Sequence, residues 1–183
     1  MLQTPSSSTP SIQRLSGFLA WACLVAAVVL PPVVLVSWMT AEAHELALRS
    51  NLPLNAIWPP LTDWQRVAGA CVGVLPAVLA SMGLWQARRC FAGFARGELF
   101  TGMAVTCLRR FAACMGGSAL ASLVTGPMLS VLLTWGNPPG LRHLAVGVGS
   151  DQLFTLLFAA VVWLMAAVIG QGEALAQENA SFV

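Results

Sequence analysis

Residues 84–101 read LWQARRCFAGFARGELFT, setting Arg88, Arg89 and Arg96 among phenylalanines with a single acid, Glu98, and Arg109 and Arg110 follow within ten residues. Guanidinium groups at this density can grip phosphates or pair with carboxylates. At about 100° per residue of helix, Phe91 and Phe94 share a face, Arg89 and Arg96 fall nearly opposite, and Arg88 sits at the boundary. That is the pattern of a segment lying in a lipid interface, with phenyl rings in the acyl boundary and guanidinium groups on lipid phosphates. Arginines flanking membrane helices need no further ligand, so direct nucleic-acid binding is not expected. Gly93 and Gly97 weaken such a helix, and Thr101 is placed to cap the next one.

Other reactive residues are sparse. Cys23, Cys71, Cys90, Cys107 and Cys114 show no C-x-x-C spacing and read as inert thiols, with Cys90 close enough to the inner interface to be considered for acylation. His44 with Glu42 and Glu45 makes half of a metal site at most, because His143 lies in a different loop. There is no Gly-rich phosphate loop, no G-x-S-x-G elbow and no H-E-x-x-H. No enzyme activity is expected, and no catalytic, cofactor or metal residue is assigned.

The elements that position the arginines follow from composition. With 57% hydrophobic and 9% charged residues and a mean hydropathy of +0.77, the chain lies far from soluble usage, where roughly a quarter of residues are charged. Its natural solvent is the bilayer. All nine basic residues are arginine, and the formal charge of +2 is too small for a bulk electrostatic partner. Four apolar runs, about 16–39, 67–85, 111–135 and 153–170, each reach the roughly 20 residues that cross a hydrocarbon core. A bilayer has no water for unpaired peptide groups, so the runs must be helices. The expected fold is an all-α polytopic membrane protein with four transmembrane helices in a single domain over residues 14–183. It follows a Ser- and Pro-rich, disordered N-terminal tail over 1–13. An A-x-A pattern at Ala41-Glu42-Ala43 could close a secretory signal, but the 24-residue run before it exceeds the 7 to 15 or so of a signal core, so the first helix reads as a span.

Arginine bias sets the orientation. The middle connector carries five arginines against Glu98, whereas the other side carries Arg49, Arg66 and Arg142 against Glu42, Glu45, Asp63 and Asp151. By the positive-inside rule the middle connector is cytoplasmic, and an even number of spans puts both termini there too. Trp38, Trp58, Trp64 and Trp135 fall near the outer interface and Trp85 near the inner one. Pro31-Pro32, Pro76 and Pro127 lie within spans, as structural kinks. Small residues at spacing four, in Gly69/Gly73, Ser118/Ser122/Gly126 and Ala166/Gly170, mark packing faces within the bundle or between subunits of a homo-oligomer. No ionisable residue falls inside a span as drawn, which disfavours an ion-coupled transporter.

The segment CFAGFARGELFTGMAVTCLRRFA and the closing GEALAQENASFV resemble two hallmark segments of a bacterial four-helix membrane family, domain of unknown function 2975, also called YoaS-like. The resemblance covers roughly residues 10–183 and is most specific at Arg96-Gly97-Glu98, Phe100-Thr101, 108–111 and 172–183. Phe94 departs from a common Tyr, and 102–107 lacks the usual polar residues. The resemblance implies an inner (plasma) membrane location and no known activity. Because some relatives are encoded beside a small helix-turn-helix regulator, it also admits a cytoplasmic regulator of that type as partner. The expected function is an interaction or regulatory membrane protein whose cytoplasmic surface comprises Arg88, Arg89, Arg96, Glu98, Arg109, Arg110, Glu173 and Glu178, with at least one of Glu173 and Glu178 pairing with Arg109 or Arg110. The alternative is a small transporter or pore-forming subunit.

Overall fold

The computed structural model describes residues 10–50, 52–53, 56–57, 61–97, 102–138, 140–142 and 144–181, with the backbone alone at 10–12 and 173–181. Expectations for Trp58, Glu98, Thr101, His143 and residues 1–9 of the N-terminal tail lie outside that set. Among the described residues the chain is all-α. Helices α1 (Pro10–Thr40), α2 (Ala43–Arg49), α3 (Asp63–Ala95), α4 (Gly102–Leu133) and α5 (Ser150–Ser181) follow one another. All but α2 are long and apolar enough to cross a membrane.

Three helices outrun their apolar runs at the arginine-rich end. α3 continues ten residues past Trp85, α4 begins nine residues before Phe111, and α5 extends eleven residues past Gly170. Ala, Arg, Leu, Gln and Glu dominate these extensions and are good helix formers, so the helices continue where the apolar pattern stops. α3 ends where Gly97 takes a positive φ of 86°, with the Arg96 and Gly97 amides donating to the carbonyls of Gly93 and Phe94. A glycine just past the helix end relieves the steric penalty of that conformation. The arginine segment is therefore an extension of a span rather than a separate interfacial helix. The internal prolines interrupt none of the helices.

Neighbours in sequence pack as neighbours in space: α1 on α3, α3 on α4, α4 on α5. The pairs run antiparallel. Gln65 bonds to Leu132, Ser118 to Pro76, and Cβ atoms placed at Gly116 and Gly170 would touch Ala159 and Val105 at 3.6 and 3.4 Å. The Gly69/Gly73 and Ala166/Gly170 faces thus serve packing within the bundle, whereas a Cβ at Gly126 would meet nothing within 4 Å. Gly69 and Gly73 cradle the indole of Trp38, where a Cβ at either glycine would lie 2.5 Å from the ring. Trp38 is consequently 4% exposed and belongs to the core, a correction to its expected place in the interfacial belt. Trp64, Trp135 and Trp85 stay about half exposed, as belt residues should.

Trp38 anchors a cluster at the end opposite the arginines, with Ala41, Leu46, Ala47, Leu52, Ala56, Ala70, Leu129 and Leu133. Side chains close the loops over it. Gln65, 5% exposed, accepts from the Thr62 amide and hydroxyl and donates to the Leu132 carbonyl at 3.0 Å. Arg66 donates to the carbonyls of Met39 and Ala41, orphaned at the end of α1, where a cation also complements the helix dipole. Asn137 donates to the carbonyls of Ala56 and Leu141.

The last connector departs from expectation. Instead of staying outside, it turns back along α4, with the Ala145 amide donating to the Ser130 hydroxyl at 3.0 Å. Since residue 159 adjoins 116 and residue 170 adjoins 105, Asp151 falls level with the residue-124 turn of α4. That is eleven residues short of Trp135, or about 16 Å along the helix axis. The apolar run 153–170 holds no ionisable residue, as drawn, but α5 begins before it and carries the exposed Asp151 in its first turn, because the apolar run marks where α5 is greasy and not where its N-terminus begins.

Candidate functional site

The arginine-rich end is assembled from the close of α3, the start of α4 and the tail of α5. On α3, Arg88 is half-buried, its guanidinium 5.1 Å from the centre of the Trp85 ring, within cation–π range. Arg89 and Arg96 are exposed on the same side of α3 and edge a small crevice with Gly93 and Met103. Opposite them, Phe91 and Phe94 meet edge to face with centroids 6.3 Å apart, as their spacing requires. Phe91 does more than dip into lipid. It lines an apolar cavity of about 280 Å³ with Cys23, Leu84, Phe111, Phe158 and Met165, at which all four spans meet.

On α4 the two adjacent arginines diverge. Both are exposed, but the Arg109 guanidinium lies 3.8 Å from a Cβ placed at Gly170, so it reaches α5. Arg110 is turned about 100° further round the helix, away from that contact. α5 does continue through 173–179, as the sequence implied. Helical register puts Glu173 about 60° from Gly170 and Glu178 about 80° to the other side, so Glu173 follows Gly170 by one turn on the face that meets Arg109. The structure thereby brings α5 beside Arg109; the side chains of Glu173 and Glu178, and the whole of Glu98, lie outside the described residues.

The remaining sequence candidates are dispersed. Cys90 and Cys107 are buried, at 3% and 5% exposure, which removes Cys90 from the reach of an acylating enzyme. His44 pairs with Glu42 at 3.2 Å on the exposed surface, and among the described residues no cluster of three His, Cys, Asp or Glu could hold a metal. Sequence reasoning missed a polar recess between α4 and α5, lined by Ser118, Ser122, Asp151, Gln152 and Thr155. Ser118 and Ser122 were legible only as small packing residues, and the facing Asp151 and Gln152 only as connector.

Residues 55–183 match the sequence profile of a family described as a protein of unknown function, DUF2975. The match covers α3, α4 and α5 and begins after α1, a narrower extent than the resemblance from residue 10 implied. No curated protein and no solved structure matches the chain.

Proposed function

We propose, from the premise that the chain belongs to the DUF2975 family of proteins of unknown function, that this multi-pass membrane protein acts by docking a soluble regulatory protein on its arginine-rich end. The carrying observation is that α3, α4 and α5 project as helices past their apolar runs and hold Arg89, Arg96, Arg109 and Arg110 on exposed positions. A lipid-facing helix needs a flanking arginine or two to set its orientation. It does not need three helices extended together to form a raised basic platform. By the arginine bias this end is cytoplasmic in a bacterial inner membrane, and the partner that fits it presents an acidic surface. Complementary charge there raises the encounter rate and rejects basic competitors.

The test places photoreactive residues at positions 89 and 110, with a lipid-facing control at 157, in cells. The expected result is one soluble protein captured from 89 and 110 but not from 157. Once purified, that protein should bind the intact chain at least about tenfold more tightly than a variant with Arg88, Arg89, Arg96, Arg109 and Arg110 all changed to Gln. Capture of lipid alone, or equal affinity for the variant, overturns the reading.

A further inference from the structure

The recess between α4 and α5 has a volume of about 240 Å³ and is walled by Met115, Ser118, Ala119 and Ser122 on one helix and Asp151, Gln152 and Thr155 on the other. Its three hydroxyl groups share one character. The Ser118 hydroxyl donates to the Pro76 carbonyl, Ser122 to Ala119 and Thr155 to Asp151, each at 2.7 Å. With their protons committed to backbone, these oxygens have only lone pairs to offer. The Gln152 Oε1 atom is buried and has no hydrogen-bond partner. It converges with an Asp151 carboxylate oxygen on Gly149, where an added Cβ would collide with both. Apart from the Gln152 amide nitrogen, the polar side-chain groups of the wall are thus acceptors around one negative charge, and an orphaned buried acceptor is costly unless something donates to it.

We propose that this recess binds a protonated primary amine. One carboxylate among neutral oxygens balances a single positive charge, whereas calcium or magnesium sites draw on more anionic oxygen. A bare alkali ion needs its ligands gathered at one point, and a space of about 240 Å³ is some eight times the share of one liquid water. An ammonium group supplies three N–H donors for the oxygens, and the carbon attached to it rests on Met115 and Ala119. α5 begins here, and its N-terminal dipole disfavours a cation; the full charge of Asp151 in the first turn outweighs that partial charge.

Access is built into the same connector. Residues 144–149 form no regular secondary structure, and among the described residues Val146, Gly147 and Val148 make no backbone hydrogen bond. Irregular backbone at membrane depth is tolerated where it is covered by protein or lines a water-filled space. The rest of the chain leaves Leu144, Val146 and Val148 uncovered and Asp151 exposed, so this segment offers water, and with it a polar solute, a path to Asp151 from the end opposite the arginines. The site stands apart from the arginine-rich platform, and neither reading depends on the other.

The test follows thermal unfolding of the full chain in phosphatidylcholine nanodiscs at fixed ionic strength, titrated with n-butylammonium chloride, n-butanol or sodium chloride. A saturable stabilisation by n-butylammonium alone is expected, with affinity lowered at least about tenfold in Asp151→Asn, the loss of one charge-assisted hydrogen bond. Gln152→Leu should weaken it several-fold and provides the readout if Asp151→Asn does not fold. Glu42→Gln, remote from the recess, should bind as the parent does. Nanodiscs containing phosphatidylethanolamine separate the sources of the amine: a lipid headgroup already in the recess abolishes further stabilisation, and a free solute amine leaves it intact. Equal responses to n-butanol or sodium, an unaltered response in both recess variants, or no saturable response in the parent would overturn the proposal.

Discussion

At the end where Trp38 is buried, several polar side chains are turned inward and hydrogen-bonded. Gln65 ties the start of α3 to the end of α4, Arg66 covers the orphaned carbonyls of α1, Arg49 bonds Ser37, and Asn137 holds two loop carbonyls. At the arginine-rich end the contacts between helices are mostly apolar, with Phe111 against Phe158, Val105 against Gly170, and Cys90 and Cys107 buried, and Arg109 reaches across from α4 to Gly170 without a carboxylate partner among the described side chains. Arginine therefore has two uses in one chain. Arg49 and Arg66 complete the fold, and their cationic groups are already engaged by backbone and hydroxyl oxygens. Arg89 and Arg110 stand on exposed helix, where the fold asks nothing of them. Function is best sought where charge is displayed rather than consumed.

The sharpest way to break this contrast is topological, because the outcome is all or none. Reporters fused after Ser50 and Asn137 should read external, and those after Gly97 and Val183 cytoplasmic; a cytoplasmic signal at Asn137 would show that the two ends have been assigned to the wrong sides. The largest energetic effect belongs to the buried end. Trp38→Ala empties the space between Gly69 and Gly73 and should destabilise the protein by about 3–5 kcal/mol, measured by unfolding in mixed micelles. Gly69→Val, which forces the indole out of the same cradle, should approach that value. Gln65→Leu comes next, at about 1–3 kcal/mol, since it leaves the Leu132 carbonyl without its buried donor. If Arg110→Gln costs as much as any of these, the arginine-rich end is part of the fold and the contrast fails.

The four spans were legible because an apolar run of sufficient length has no other solution in a bilayer. Helix ends were not, since hydropathy reports lipid contact while backbone hydrogen bonding decides where a helix stops. α3 therefore reaches Ala95 and α5 reaches Ser181, well past Trp85 and Gly170. Periodicity correctly put Phe91 and Phe94 together, but only the neighbouring helices show that Phe91 looks into a cavity. Gly69 and Gly73 were recognisable as a packing face; that the face receives Trp38 rather than another backbone depends on the relative height of α1 and α3, which sequence does not encode locally. The acceptor recess was hidden for the same reason. Ser118, Ser122, Asp151 and Gln152 carry no motif, and they meet because the connector folds back along α4.

The smallest expected effect decides whether the α5 tail belongs to the platform. Arg109 already reaches Gly170, and helical register sets position 173 one turn beyond Gly170, whereas Arg110 lies about 100° round α4 from Arg109 and position 178 about 80° round α5 from Gly170 on the side opposite position 173. An exposed ion pair contributes about 0–1 kcal/mol, and partial desolvation at the lipid interface places this one toward the upper part of that range. A double-mutant cycle isolates it: Arg109→Glu and Glu173→Arg should each destabilise the purified protein, and the two together should recover part of the loss. The corresponding cycle on Arg110 and Glu178 should be additive within error. Coupling in the second pair and not the first would mean that α5 bends or turns beyond Gly170, presenting its acids to a different side of the platform. Additivity in both would leave the tail independent of the arginines, and the docking surface would then consist of α3 and α4 alone.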